Sequence, residues 1–247
     1  MRYFIDISFK GSSYHGWQKQ PNANTVQETI EEKLSILFHR KVDIIGAGRT
    51  DSGVHARQLI AHLDLDESED LTNILYRLNS FLPQNISINS IVPVIYEAHA
   101  RFSALSRSYI YKVHTQKNPF FNDFSYLVTH PLDIAMMNKA AGMLLDYKNF
   151  KCFSKGKTDV KTYFCDIKEA GWRMEGNQLQ FYIKADRFLR NMVRAIVGTL
   201  LEIGSGKLPI TELPVIIESQ NRSKAGFSVP AHGLYLQEVT YPQSIYL

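Results

Sequence analysis

Apolar and polar positions along the chain follow two alternating periods, and each change of period marks an element. Tyr3, Ile5, Ile7 and Phe9 alternate with Phe4, Asp6 and Ser8, the period of two that turns one face of a strand inward. Thr25 and Glu28 form a T-x-x-E capping box ahead of Val26, Ile30, Leu34, Leu37 and Phe38, which are spaced for one face of a helix. Residues 42–45 and 59–65 read as further strands, and Leu71, Ile74, Leu75 and Leu78 as a second helix. Residues 86–95 read as an extended segment broken at Pro93.

The second half repeats this grammar. A strand is expected over 109–115, and a helix from Asp133 through Met137, Ala141 and Leu145. Strands follow over 161–170 and 178–185, with Glu175-Gly176-Asn177 supplying turn chemistry before the second. A long helix is expected over 186–203, closed by Gly204 and Gly206, and a last strand over 233–239. The pattern predicts an α+β protein of two halves, 1–104 and 105–247. Nothing near Phe102 to Ser106 is rich enough in Gly, Pro or Ser to be a flexible linker, so the halves are expected to pack on each other.

Composition narrows the class. At 247 residues, 45% hydrophobic and 21% charged, the chain is neither disordered nor fibrous, and it can fill one large core or two of about 120 residues. The formal charge of +4 permits a polyanionic partner without demanding one. Cys152 and Cys165 carry no C-x-x-C spacing or flanking histidines, so neither a disulfide framework nor a zinc site is indicated. No apolar run reaches the roughly 18 residues of a membrane span, and Asp6 stands where a signal peptide would be apolar. A soluble cytoplasmic protein is expected.

The most informative segment runs from Gly46 to Ala56, G-A-G-R-T-D-S-G-V-H-A, directly after an apolar run. A dinucleotide fingerprint starting at Gly46 needs glycine at 51 and meets Asp51 instead. A P-loop starting at Gly48 needs Lys and Ser or Thr after Gly53 and meets Val54 and His55. What remains is an acid in a glycine-bounded loop, which serves equally as turn chemistry or as a catalytic carboxylate. On the expected long helix, Leu189, Met192, Val193, Ile196, Leu200 and Ile203 form an apolar face, with Arg187, Arg190 and Arg194 on the other. Three arginines without a lysine suit carboxylate or phosphate pairing as well as plain solvation. Around Arg101, Phe102, Arg107, Tyr109 and Tyr111, aromatics interleave with bases, the mix that stacks on nucleobases while holding phosphates.

Together these segments resemble one family. G-R-T-D-x-G-V-H-A at Gly48 to Ala56 resembles the catalytic loop of the tRNA pseudouridine synthase A family. Gly16-Trp17-Gln18, Thr25-Val26-Gln27-Glu28, Ala100 to Ala104 leading to Tyr109, Phe188 to Arg194, and Gly233 to Leu236 follow in the family's order. The chain departs from it at Phe9-Lys10-Gly11, where the family usually shows Tyr-Asp-Gly, and matches loosely over 151–162.

The resemblance implies a pseudouridine synthase fold of two similar halves, each with a mainly antiparallel sheet flanked by helices, and an active-site cleft between them. It implies isomerisation of uridine to pseudouridine at positions 38, 39 and 40 of the tRNA anticodon stem-loop, with neither metal nor organic cofactor, by a homodimer. Asp51 falls at the nucleophile's position, an ionised carboxylate being able to add and to leave. Arg194 matches the arginine that keeps such a carboxylate charged. Tyr109 matches the tyrosine that stacks on the target base and lies where the C5 proton could be taken, although a phenol, with an ordinary pKa of about 10, is a weak base. Leu234 should pack under the uracil, and Arg49 should fill the gap left when the nucleotide is flipped out. Arg190 and Arg101 complete the expected RNA contacts.

Two other classes compete. One is a tRNA-binding protein without turnover, in which Asp51 only makes a turn; the other is a metal-dependent nuclease using the acids Asp64, Asp66, Glu67, Glu69 and Asp70.

Overall fold

The computed structural model describes residues 1–66, 70–156 and 160–247. Contacts divide the chain into two compact units, Met1–Leu105 with Tyr235–Leu247, and Ser106–Leu234.

The first unit contains β1 (Arg2–Phe9), α1 (Val26–Phe38), β2 (Ile45–Gly46), β3 (His55–Asp64), α2 (Leu71–Phe81) and β4 (Ile86–Val94). The second contains β5 (Ser106–His114), the short β6 (Tyr126–Leu127), α3 (Ile134–Met143), β7 (Ile167–Glu175), β8 (Gln178–Ala185), α4 (Met192–Gly204) and α5 (Glu212–Ser219). A closing strand, β9 (Leu234–Thr240), carries the chain back to the first unit.

In the first unit β1 lies antiparallel to both β3 and β4. The far edge of β3 is shared: Ala61 and His62 pair with β2, while His55 and Ala56 run parallel to Tyr235 and Leu236 of β9. The sequence β-α-β-β-α-β with order β4-β1-β3-β2 is the split βαβ arrangement. The second unit repeats the first five of these elements as β5, α3, β7, β8 and α4, with β8 antiparallel to β5 and β7. The strand pairing within each unit is thus mainly antiparallel, with helices in both.

Single side chains close a sheet edge in each unit. Asn79 of α2 bonds both backbone groups of Ile88 on edge strand β4, accepting at 2.8 Å and donating at 2.9 Å. Asn138 of α3 does the same to Trp172 on edge strand β7, at 2.7 and 3.1 Å. Each carboxamide occupies an otherwise open N–H and C=O pair of an edge strand.

Local chemistry sets the element ends. Thr25 Oγ1 accepts the Glu28 N–H at 3.4 Å, the bond a capping box provides, and Asp70 and Asp133 cap α2 and α3 in the same way. The β7–β8 turn is two residues, with Gly176 at φ +57°, as a hairpin turn with glycine at its first central position requires.

Several expectations need correction. The strand over 42–45 shrinks to Ile45–Gly46, because Val42 and Ile44 are buried without joining the ladder. The strand over 161–170 begins only at Ile167 and runs to Glu175. Pro93 does not break β4: its carbonyl accepts from Leu247 on the outer edge, and its missing N–H lies on that same side, away from β1.

The helix over 186–203 starts at Met192. The Asp186 carboxylate accepts the N–H groups of Asp166 and Arg187, both at 2.7 Å, and Asn191 takes the left-handed conformation at φ 67°. Arg187 and Arg190 therefore lie on an irregular approach, and only Arg194 is on α4. Burial of Leu189 in that approach had extended the helical period upstream.

Candidate active site

The loop 47–54 leaves the first unit's sheet where β2 ends and rejoins it where β3 begins. Ala47 donates the last ladder bond, to Ile60 O at 2.7 Å. Val54 N–H then closes a turn onto Asp51 O at 3.1 Å, with Gly53 at φ +80°, the third-position geometry of a type II turn.

A second segment clamps this loop. Trp17 N–H bonds Thr50 O at 3.3 Å, while Gly53 N–H and Ser52 Oγ both donate to Tyr14 O, at 3.4 and 3.2 Å. The backbones nearly touch: a Cβ on Gly16, itself at φ +93°, would lie 2.4 Å from Thr50 O, and one on Gly11 1.9 Å from Val54 O. His55, buried at the loop's exit, accepts the Gly11 N–H at Nδ1 (3.1 Å) and stacks on Tyr235 at 4.7 Å. The product is one half-buried carboxylate, Asp51, on a backbone held from two sides, with Arg49 exposed beside it. That combination of partial desolvation and fixed geometry suits a nucleophile.

In the second unit Tyr109 stands on β5 opposite Ile183, half-buried, with the Phe188 ring edge-on at 5.0 Å. Arg194, in the first turn of α4, donates from Nε to Val229 O at 2.7 Å, and Val229 N–H returns a bond to Arg194 O at 3.2 Å. The segment carrying Val229 is itself bound to α4. A Cβ on Gly198 would lie 1.9 Å from Phe227 O, and Gly226 N–H bonds Thr199 Oγ1 at 2.9 Å. Ser228 Oγ is shared by Asn191 (2.7 Å) and Arg222 (2.8 Å). Arg194 is thereby aimed by backbone.

Pro230 O accepts from the Tyr111 hydroxyl at 2.9 Å, and Gly233 sits against that ring, where a Cβ would come within 2.7 Å of it. Burial raises the Tyr111 phenol well above its ordinary value, so Tyr111 is scaffold rather than base. His232 is pulled down by burial and then by Arg194, against Ser125 backbone and Asp123.

Of the expected residues, the structure groups Arg49 with Asp51 on one clamped loop of the first unit. In the second it places Tyr109 beside Phe188, Arg194 on the Val229 carbonyl, and Leu234, buried, just after Gly233. Arg190 is exposed before α4, its carbonyl accepting from Lys155, and Arg101 lies on a separate turn near residue 100. The supports at Gly11, Tyr14 and Val229 were not foreseen, since bonds to backbone across long sequence gaps leave no periodic trace.

Three acids of the nuclease alternative are used elsewhere. Asp64 pairs with Arg2 and Asp66 with Arg40, Asp70 caps α2, and Glu67 and Glu69 lie outside the described residues. Among the described residues no three His, Cys, Asp or Glu side chains gather as a metal-binding group, and no helix is long and apolar enough to cross a membrane.

The family model described as tRNA pseudouridine synthase matches residues 7–103 and 140–242, and the chain belongs to that family of isomerases, enzymes that form pseudouridine in tRNA. More particularly, it is similar to proteins named tRNA pseudouridine synthase A. That of Parabacteroides distasonis is 52% identical over 246 residues, covering 99% of this chain and 98% of the relative. That of Porphyromonas gingivalis is 50% identical over 250 residues, covering 100% and 99%. In Acetivibrio thermocellus the figure is 41% over 237 residues, covering 95% and 97%.

Proposed function

We propose that this protein isomerises uridine to pseudouridine at positions 38, 39 and 40 of the tRNA anticodon stem-loop, with Asp51 as the nucleophilic carboxylate. The observation that carries this reading is the Asp51 loop, a half-buried acid on a turn fixed by Gly11, Gly16 and His55. The reaction breaks the C1′–N1 bond, forms C1′–C5, removes the C5 proton and protonates N1, so it needs no co-reactant, metal or organic cofactor. Asp51 adds to the nucleotide and leaves again, and Arg194 is a second catalytic residue, the cation of the set. Tyr109 stacks on the base and stands to take the C5 proton. Leu234 supports the uracil, while Arg190 and Arg101 meet phosphates. The target nucleotide is flipped from its stack at a cost of a few kcal/mol, and Arg49 fills the space it leaves. The enzyme works in the cytoplasm as a homodimer, which doubles the positive charge offered to one tRNA.

The test is tritium release from tRNA transcribed with uridine labelled at C5, comparing the wild type with Asp51→Asn, and with tRNA binding measured at fixed salt. Release by the wild type alone, with binding kept by the variant, supports the reading. Tight binding without release by either protein would leave an RNA-binding protein.

A further inference from the structure

Residues 98–103, which follow β4 in the first unit, are anchored by hydrogen bonds from side chains on several elements. His62, buried on β3, accepts the Ala100 N–H at Nδ1 (3.1 Å). His99 Nδ1 accepts the N–H of Arg101 at 3.1 Å and that of Phe102 at 3.4 Å. His99 N–H bonds Ser103 Oγ at 3.0 Å, and Ser103 N–H bonds His99 O at 2.9 Å. Arg2 holds Ala98 O at 3.2 Å, and the Tyr241 hydroxyl holds Ala100 O at 2.6 Å. The two imidazoles meet edge-on at 4.6 Å.

On this base Phe102 keeps 74% of its surface exposed, with the His99 ring 4.4 Å away and the Arg101 guanidinium 5.4 Å from its ring centre. A lone exposed phenylalanine is ordinary. One whose backbone is fixed on both flanks, with a cation over the ring, offers a preorganised aromatic face and a phosphate partner, the pair that receives an unpaired nucleotide.

We infer that Phe102 and Arg101 stack on and clamp an unpaired nucleotide of the tRNA substrate, and that His62 and His99 are positioning residues that hold this turn. The inference rests on the tRNA reading above and adds a contact that its catalytic groups do not supply.

Both histidines serve as acceptors at Nδ1, so each is neutral with its proton on Nε2; a second proton would face a backbone N–H. The groups around them are Arg2 on β1, Asp64 on β3, Glu97 before the turn, and Arg101 and Tyr241 at it. Burial first, then the neighbouring imidazole and Arg2, hold His62 down to about 4; burial and Arg2 lower His99. The contact is therefore level at neutral pH and weakens on acidification.

The test measures tRNA affinity and tritium-release kinetics for Phe102→Ala, Phe102→Trp, His99→Ala, His99→Asn and, as a control aromatic of equal exposure, Tyr76→Ser. Phe102→Ala should raise Kd and KM for tRNA about 10-fold, as loss of one stacked base does, with kcat within about twofold and the salt slope unchanged. Phe102→Trp and Tyr76→Ser should stay within about twofold. His99→Ala should match Phe102→Ala, and the double variant should be no worse than either. His99→Asn, whose Oδ1 can replace Nδ1 as acceptor, should restore affinity and remove the share of its acid dependence that belongs to His99. Wild-type affinity in Phe102→Ala, or a changed oligomeric state in place of a changed Kd, would overturn the inference while the wild type still releases tritium. If the wild type releases none, the tRNA reading itself falls and the inference with it.

Discussion

Gly16, packed on the turn that carries Asp51, meets two requirements that only glycine satisfies. Its φ of +93° lies where an L side chain is strained, and a Cβ there would sit 2.4 Å from Thr50 O, backbone that cannot swing aside. Gly16→Ala should therefore push the 50–53 turn away from its clamp rather than merely loosen the fold. We expect kcat for tritium release to fall at least about 100-fold, with tRNA affinity within about threefold and a stability loss of about 1–3 kcal/mol. Turnover near the wild-type rate would show that the clamp does not position Asp51. Gly48, three residues from Asp51, is the contrast, since a Cβ there meets nothing within 4 Å. Gly48→Ala should turn over within about threefold of the wild type in the same assay. A string such as G-A-G-R-T-D-S-G does not say which glycine matters, because the reason lies in a segment more than thirty residues away.

Elements are closed by pairs of bonds that can be removed one at a time. Asn79 and Asn138 each occupy both backbone groups of an edge residue, Ile88 and Trp172. Leucine is close in size and satisfies neither group, so Asn79→Leu and Asn138→Leu should each cost about 1–3 kcal/mol in urea unfolding. Their partners are distinct, so the double variant should cost the sum within about 0.5 kcal/mol. A neutral result for either would mean that water serves the edge as well. These bonds also mark what the sequence conveys. Period-two and period-3.6 runs with caps located β1, α1, α2, α3 and β8 closely, because burial of one face writes itself into neighbouring residues. The run before α4 misled because Leu189 is buried without being helical. Residues 126–127 and α5 left no readable period, being two residues and just over two turns long. Of the candidate site, the residues of the Asp51 loop were legible as a motif, whereas their supports were not.

Several buried groups are held in their neutral forms, and this sets the pH range over which the molecule is stable. His62, His99, His114 and His232 are all lowered, burial being the first cause in each, His62 to about 4. In the unfolded chain each takes up a proton near 6.5, so stability present above that pH is lost as pH falls toward the folded value. For His62 the loss comes to about 2 kcal/mol by pH 5. Asp64 and Asp166 do not share this window, since Arg2 and Lys148 hold their carboxyls below the ordinary range and keep them ionised through it. On the alkaline side burial raises Cys152 and Cys165 to about 12, so the unfolded chain releases their protons first and stability declines above about 9. Urea midpoints should therefore form a plateau from about pH 7 to 8.5, dropping at pH 5 and again at pH 10. His62→Asn keeps an acceptor near the Nδ1 position without titrating, and should flatten the acid limb by about the His62 share. A midpoint at pH 5 equal to that at 7.5, or an acid limb unchanged in His62→Asn, would show that the buried imidazoles do not govern it. In that case the acid weakening of tRNA binding would need a cause other than the 98–103 turn.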